Sequence, residues 1–336
     1  MSVNKRNSLG EFGLIDWIQR QAGYGDHLSL GIGDDCSIQP QQGEQDLLTS
    51  TDLFIEGIHF RREWSNCFDL GRKAAAVNIS DIAAMGGIPQ SLFLGIGRPR
   101  EMGDAEIEEF ISGFLAEVKL HGAVLAGGDT CSSPGSLLIS VTVQGTVAAT
   151  EAICREGASY GDAIYVSGCL GDSALALQLL EQGYQPDSYL AGRFHTPTPR
   201  VSLGRELSKR QLATAMLDVS DGLLVDLDHI LTASGVGADL DLAKIPLSIP
   251  FQNSLSKDFS LIDLALAGGE DYELVFTSPL KDLDSQIEMD HAVTQIGTIS
   301  LEPGLRVHQK NGDLYRCQRG GFDHFAECRG DGSSKS

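Results

Sequence analysis

Six strand-like runs in this chain end on Gly or Ser beside a carboxylate. They are LGIGDD (30–35), LLTSTD (47–52), LAGGDT (125–130), VSGCLGDS (166–173), LDVSDG (217–222) and LAGGED (266–271). An apolar run of this length reads as a buried strand, and Gly or Ser with Asp ends it in a turn. Repeating this design six times demands a sheet protein whose strand ends gather acidic side chains. Between these runs lie helical stretches. Residues 69–85 are Ala-rich and stop at Gly86-Gly87. Residues 104–121 place Ile107, Phe110, Ile111, Phe114, Leu115 and Val118 on one face, with Asp104 as the expected N-cap and Gly122 beyond the C-terminus. Residues 172–182 and 222–233 read as two more helices, and 137–147, 162–168, 214–221 and 272–277 as strands. Strands and helices in alternation predict a mixed α/β (α+β) fold. A hinge near 148–156 predicts an N-terminal α/β domain (1–150) and a C-terminal α/β domain (151–328), followed by a disordered tail (329–336).

Charge narrows the chemistry. Asp and Glu number 46 against 25 Lys and Arg, a formal net charge of −21. So acidic a surface is a poor partner for nucleic acid or an anionic membrane. No secretory signal and no transmembrane run is visible. Seven cysteines, an odd count without C-x-x-C, fit reduced thiols in the cytoplasm. Glycine, at 39 of 336 residues, is enriched beside the carboxylates. Any single Asp-Gly pair is most simply a turn. Six together suit hard cations such as Mg²⁺, which take carboxylate, hydroxyl and water oxygens, and phosphates, which take main-chain N–H groups at Gly turns. Asp81, inside the apolar helix VNISDIAAM, stands out because an unpaired buried charge is costly.

The motifs then form a recognisable set. GEFGLI (10–15), LGIGDDC (30–36), STDLFIEGIHF (50–60), KAAAVNISDIAAMGGIP (73–89), LAGGDT (125–130), GDAIYVSGCLGDSA (161–174), LDVSDGLLVDL (217–227), LAGGEDYELVFT (266–277) and GFDHF (321–325) stand in an order that resembles the thiamine-monophosphate kinase family. That family belongs to the superfamily typified by aminoimidazole ribonucleotide synthetase. The resemblance implies a two-domain, non-P-loop fold, and the chain has no Walker A sequence. It implies transfer of a phosphoryl group from ATP to thiamine monophosphate with several Mg²⁺ ions, in a homodimer.

The resemblance also implies roles. Asp35, Ser50, Thr51, Asp52, Asp81, Asp129, Asp218 and Asp221 match metal ligands, with Asp81, Asp129 and Asp218 central to catalysis. Gly128, Asp129, Arg155 and Ser220 match nucleotide-binding positions. His59, Glu270 and Phe322 match positions near thiamine monophosphate, although the family often has Trp or Tyr where Phe322 stands. Asp34 shapes the turn beside Asp35 or joins it. Other readings stay open on the residues: another ATP-dependent synthetase of the superfamily, a non-catalytic maturation protein on the same fold, or an acidic protein holding structural cations. Against selenophosphate synthetase stands the lack of a reactive Cys in an N-terminal Gly-rich loop. Against the hydrogenase-maturation kind stands the ending SSKS.

Overall fold

A computed structural model describes residues 11–22, 27–287 and 291–318. In chain order the elements are α1 (Glu11–Ala22), β1 (Ser37–Pro40), β2 (Gln45–Ile55), α2 (Cys67–Ala84), β3 (Ile88–Pro99), α3 (Asp104–Leu120), β4 (Val124–Ser133), β5 (Leu138–Ala148), β6 (Ala163–Ser167), α4 (Asp172–Glu181), α5 (Ser188–His195), α6 (Val201–Lys209), β7 (Ala215–Asp218), α7 (Leu223–Ser234), β8 (Gly237–Asp241), α8 (Ile249–Leu255), α9 (Ile262–Ala267), β9 (Leu274–Ser278), β10 (Val293–Ser300), β11 (Gly304–His308) and β12 (Leu314–Tyr315). Helices and strands do alternate, and two sheets result. The first runs β1-β2-β5-β3-β4; the second runs β12-β11-β8-β10-β6-β9-β7. The first sheet thus draws on Ser37–Ala148 and the second on Ala163–Tyr315. No disulfide joins the cysteines of the described residues, and none of their helices is long and apolar enough to cross a membrane.

Helix α2 is the element on which the site depends. Asn66 caps it by accepting the N–H of Asp69 at 2.7 Å, and Gly86 ends it with φ of +73°. Thirteen of its eighteen residues are buried, so it is wrapped on all sides. Small residues make this possible. A Cβ on Gly71 would lie 2.0 Å from the carbonyl oxygen of Phe110, and one on Gly113 would lie 1.9 Å from that of Phe68. The backbones of α2 and α3 therefore touch. On another side, Gly204 of α6 would bring a Cβ 2.1 Å from the carbonyl oxygen of Ala83. Helix α2 is shared: it covers the core face of the first sheet and meets α5, α6 and β7 of the second half.

Several boundaries differ from those read in the sequence: β2 and β4 run on past Asp52 and Asp129 to Ile55 and Ser133, and Leu266-Ala267 end helix α9 rather than a strand. Gly103, not Asp104, is the N-cap of α3; Asp104 is the first helical residue and accepts from the Arg98 guanidinium at 2.6 Å. Strand β9 begins at Leu274 rather than at residue 272, because Glu270 (φ +67°) and Tyr272 (φ +51°) are left-handed and cannot join a ladder. Asp172 does not cap α4: Gly171 holds that place, and the buried Asp172 carboxylate accepts from the Ser248 hydroxyl at 2.5 Å.

Candidate active site

Strand alternation sorts the S-T-D segment of β2. Leu48 and Phe54 are core residues, so Ser50 and Asp52 point to the same face, toward α2, and Thr51 points away. The Ser50 hydroxyl donates to Oδ2 of Asp81 on α2 at 2.6 Å. Thr51 instead pairs across the strands with Thr142, hydroxyl to hydroxyl at 2.9 Å, and donates to the carbonyl of Val141 at 3.1 Å. Beside Asp81 on α2, the Ser80 hydroxyl donates to Oδ2 of Asp218 at 2.5 Å. Asp218 is the last residue of β7. Ser50 thus ties Asp81 of α2 to β2, and Ser80 ties Asp218 of the second half to α2.

The Gly-Asp-Asp turn supplies the third side. Arg155 reaches back to it: its guanidinium meets Oδ1 of Asp35 at 2.5 Å and its main-chain N–H donates to Oδ2 of Asp34 at 2.9 Å. Asp34 also accepts the N–H of Asp35 at 2.9 Å. It therefore builds the turn as well as adding charge. Oδ2 of Asp35 is buried without a hydrogen-bond partner.

The carboxylates resist ionising together. Burial, then the charge of Asp35, pushes Asp218 up to about 8. Burial, then Asp52, Asp218 and Asp35, holds Asp81 well above the usual carboxylate range. Asp34 rises to about 6, again through burial and then Asp35. Burial works against the charge of Arg155, but Asp35 and Asp34 outweigh it and raise its pKa. Tyr272 is raised too, first by burial and then by Glu270, Asp218, Asp52 and Asp81, which places its phenol beside the same group. An arrangement in which like charges oppose one another is poised for cations. Among the described residues, no three carboxyl, imidazole or thiol groups converge on one ion position. The donors are thus carboxylate pairs with hydroxyl neighbours, the pattern in which Mg²⁺ keeps waters and takes substrate phosphates.

The remaining sequence-identified residues are dispersed around this centre. Asp129 lies on the exposed edge strand β4, in register with Gly95 of β3. Next to it Gly128 has φ of +156°, and a Cβ there would sit 1.9 Å from the carbonyl oxygen of Leu94. Asp221 follows Asp218 in the D-x-S-D turn; its N–H and that of Gly222 are held by Oδ2 of Asp226, at 3.1 and 2.9 Å. The carbonyl of Ser220 accepts the N–H of Glu270 at 2.7 Å. Glu270 ion-pairs with Lys73 of α2 at 3.0 Å. His59 sits in the turn after β2, where its Nδ1 accepts the N–H of Ile55 at 3.0 Å. Phe322 lies outside the described residues.

Four features escaped the sequence reading: Ser80, Lys73, Asp226 and the ion network under the GGED turn. In that network Glu273 is buried between Arg193, at 2.8 Å, and Arg200, whose Nε lies 2.6 Å away. Burial alone would raise the Glu273 pKa; the two guanidinium groups reverse that and lower it. A lysine in an otherwise Ala-rich helix was the available signal for Lys73.

Residues 33–147 match the AIR synthase related protein, N-terminal domain, and residues 159–308 match the C-terminal domain of the same family. A thiamine-monophosphate kinase of Haemophilus influenzae is 36% identical over 334 residues, covering 96% of this chain and all of that one. The structure of AaThiL complexed with AMPPCP and TMP superposes with a TM-score of 0.83 at 32% identity, over 97% of this chain and 99% of that one. Thiamine-monophosphate kinase from Stenotrophomonas maltophilia K279a gives 0.74 at 39% identity, over 91% and 98%.

Proposed function

The chain belongs to the thiamine-monophosphate kinase family of the AIR synthase related proteins, and from that membership we propose the reaction and the roles of its residues. It is a phosphotransferase that moves the γ-phosphoryl group of ATP onto the phosphate of thiamine monophosphate, giving thiamine diphosphate and ADP. One observation carries the assignment of the site: Asp35, Asp52, Asp81 and Asp218, drawn from both halves of the fold, crowd together beside the Arg155 guanidinium, so that burial and then the neighbouring charges raise the pKa of Asp81 and of Asp218.

The acceptor oxygen is already anionic near neutral pH, so no base must remove a proton from it. The obstacle is repulsion between two polyanions. Several Mg²⁺ ions, when bound, screen that repulsion and the charge that develops on the transferred group. Asp35, Asp52, Asp81, Asp129, Asp218 and Asp221 would hold them, with the Ser50 hydroxyl and the Thr51 main chain beside them. The buried, unpartnered Oδ2 of Asp35 fits such a role. Ser50 and Ser80 fix the rotamers of Asp81 and Asp218. Arg155 supplies a permanent positive charge toward the ATP phosphates, and Ser220 and the Gly128 main chain border them. Gly128 is required by packing, since a Cβ there would strike the Leu94 carbonyl of β3 at 1.9 Å. Asp226 holds the turn that presents Asp221. His59, Glu270 and Phe322 serve the acceptor side. Placement and electrostatics then carry the catalysis.

The N-terminal unit (1–150) also offers a dimer surface. The side of the first sheet opposite α2 leaves Leu53, Phe93 and Leu138 exposed at 56%, 38% and 38%. We propose that a second copy covers this face, next to Thr51 and the edge strand β4, and that the homodimer works in the cytoplasm. The test of the reaction is ADP release with thiamine monophosphate, with thiamine and with no acceptor, each at varied Mg²⁺. ADP release should require thiamine monophosphate and Mg²⁺; release that ignores the acceptor, or favours free thiamine, overturns the assignment.

A further inference from the structure

Lys73 is buried to 2% exposure in the middle of α2, among Ala74, Ala75 and Ala76. A buried ammonium is costly unless it is paired. Both of its partners come from the other half of the molecule. Oε1 of Glu270 lies 3.0 Å from Nζ, and the ring of Phe194 on α5 lies 3.9 Å below it, within cation–π range. The same positive charge, after burial, lowers the pKa of His195.

The backbone around Glu270 is already fixed. Its own N–H bonds to Ser220, and Tyr272 N–H bonds to the carbonyl of Val219 at 2.9 Å. The carbonyl of Asp271 takes Arg193 at 2.8 Å, and the Asp271 carboxylate takes the N–H of Gly171 at 2.7 Å. With φ at +67°, the main chain has one left-handed conformation to hold. The freedom that remains is in the Glu270 side chain, which is 24% exposed. Lys73 removes that freedom. Both partners of the ammonium belong to the other half of the fold, so its charge acts on the Glu270 side chain rather than within α2.

We propose that Lys73 is a positioning residue for the acceptor: by pinning the Glu270 carboxylate it sets the affinity for thiamine monophosphate, and it takes no part in phosphoryl transfer. This rests on the reading that Glu270 faces the acceptor. The experiment is steady-state kinetics of the full-length enzyme with Lys73→Met, Glu270→Gln and the double variant, varying each substrate in turn. Lys73→Met should raise KM for thiamine monophosphate about tenfold, the size of one lost partly buried ion pair. It should leave kcat and KM for ATP within about twofold. Glu270→Gln should raise the same constant, and the double variant should resemble Glu270→Gln alone, since the lysine acts through the glutamate. Lys73→Arg should keep the affinity within a few-fold.

If Glu270→Gln raises KM for thiamine monophosphate but Lys73→Met does not, the proposal falls and the role of Glu270 stands. If Glu270→Gln changes nothing, the reading of Glu270 fails and the proposal fails with it. Multiplying effects in the double variant, or an equal loss in kcat, also overturn it. Lys73→Gln replaces Lys73→Met if the latter does not fold. If both fail to fold while Lys73→Arg is folded and active, the ammonium belongs to the fold and the proposal is wrong.

Discussion

Replacing Asp218 by Asn should flatten the pH dependence of stability in the metal-free protein. Asp218 is 4% exposed and titrates near 8, against an ordinary 3.8, because of burial and then the charge of Asp35. Between these two values the native state keeps a proton that the unfolded chain has released. Stability then falls as pH rises, by about 1.4 kcal/mol per unit for one group. The contribution is fully present below the unfolded value and is lost as pH rises through the folded one. From about pH 5 to pH 8 the native group stays mostly protonated, so Asp218 alone costs up to about 3–4 kcal/mol over that span. For a protein of 336 residues that is a fall in Tm of about 5 °C. Asp34, titrating at about 6, adds about 1–2 kcal/mol in the same direction, mostly below pH 6.5. Asn keeps an acceptor for the Ser80 hydroxyl, now at 2.5 Å, so geometry is held while the charge is removed. The assay is thermal unfolding by circular dichroism in EDTA across this range, for both proteins. Wild-type should lose stability with rising pH, and Asp218→Asn should keep most of it. Adding Mg²⁺ at pH 8 should stabilise wild-type much more than the variant, because cation binding favours the ionised carboxylates. A wild-type Tm that rises between pH 5 and 8 without metal, or a variant with an unchanged slope, refutes the reasoning.

Two further outcomes follow from the packing and the site. Asp81→Asn should lower turnover by orders of magnitude and steepen the Mg²⁺ dependence, while leaving a folded protein because Ser50 can still donate to the amide oxygen; wild-type turnover at limiting Mg²⁺ counts against its role. Gly71→Ala should destabilise by about 1–3 kcal/mol or more, since its Cβ would meet the Phe110 carbonyl at 2.0 Å; denaturant melts that match wild-type would show that α2 and α3 do not touch as described.

The α/β alternation was legible because it depends on local sequence, and two of the six acidic runs do end strands, at Ser167 of β6 and Asp218 of β7; LLTSTD and LAGGDT instead lie inside β2 and β4, and Leu266-Ala267 close helix α9. Glycine before a carboxylate favours a turn, but pairing with β3 carries Gly127, Gly128 and Asp129 straight on through β4 to Ser133. Alternation was also available and would have separated Thr51 from Ser50 and Asp52, since a strand turns every second side chain away. What could not be read locally were partnerships across the fold. Ser80 differs from any helix serine only by facing Asp218 from β7. Lys73 shows its charge, but its pairing with Glu270 exists only because α2 packs against the second half. The left-handed residues Glu270 and Tyr272 were hidden for another reason. Neither residue type favours positive φ, so only bonds from outside the turn can hold them there.

Those outside bonds tie the turn proposed to face the acceptor to the turn proposed to hold metal. Val219 N–H reaches the carbonyl of Glu273 at 2.7 Å, Glu270 N–H reaches Ser220, and Tyr272 N–H returns to Val219. The D-V-S-D and G-G-E-D-Y-E turns are therefore one interlocked piece. Two left-handed residues cost about 1–3 kcal/mol each. That strain is offset by Glu273, buried between Arg193 and Arg200, and by Gly269, which has no Cβ to strike the Ser220 carbonyl 2.3 Å away. A reaction with an anionic acceptor gains nothing from a base and everything from distance and line of attack. Fixing Glu270, the carboxylate proposed for the acceptor side, to the same turn that carries Asp218 and Asp221 removes one relative motion that would blur that distance. The strain at residues 270 and 272 is then the cost of joining the two ends, which explains why non-glycine residues are held left-handed at this point of the chain.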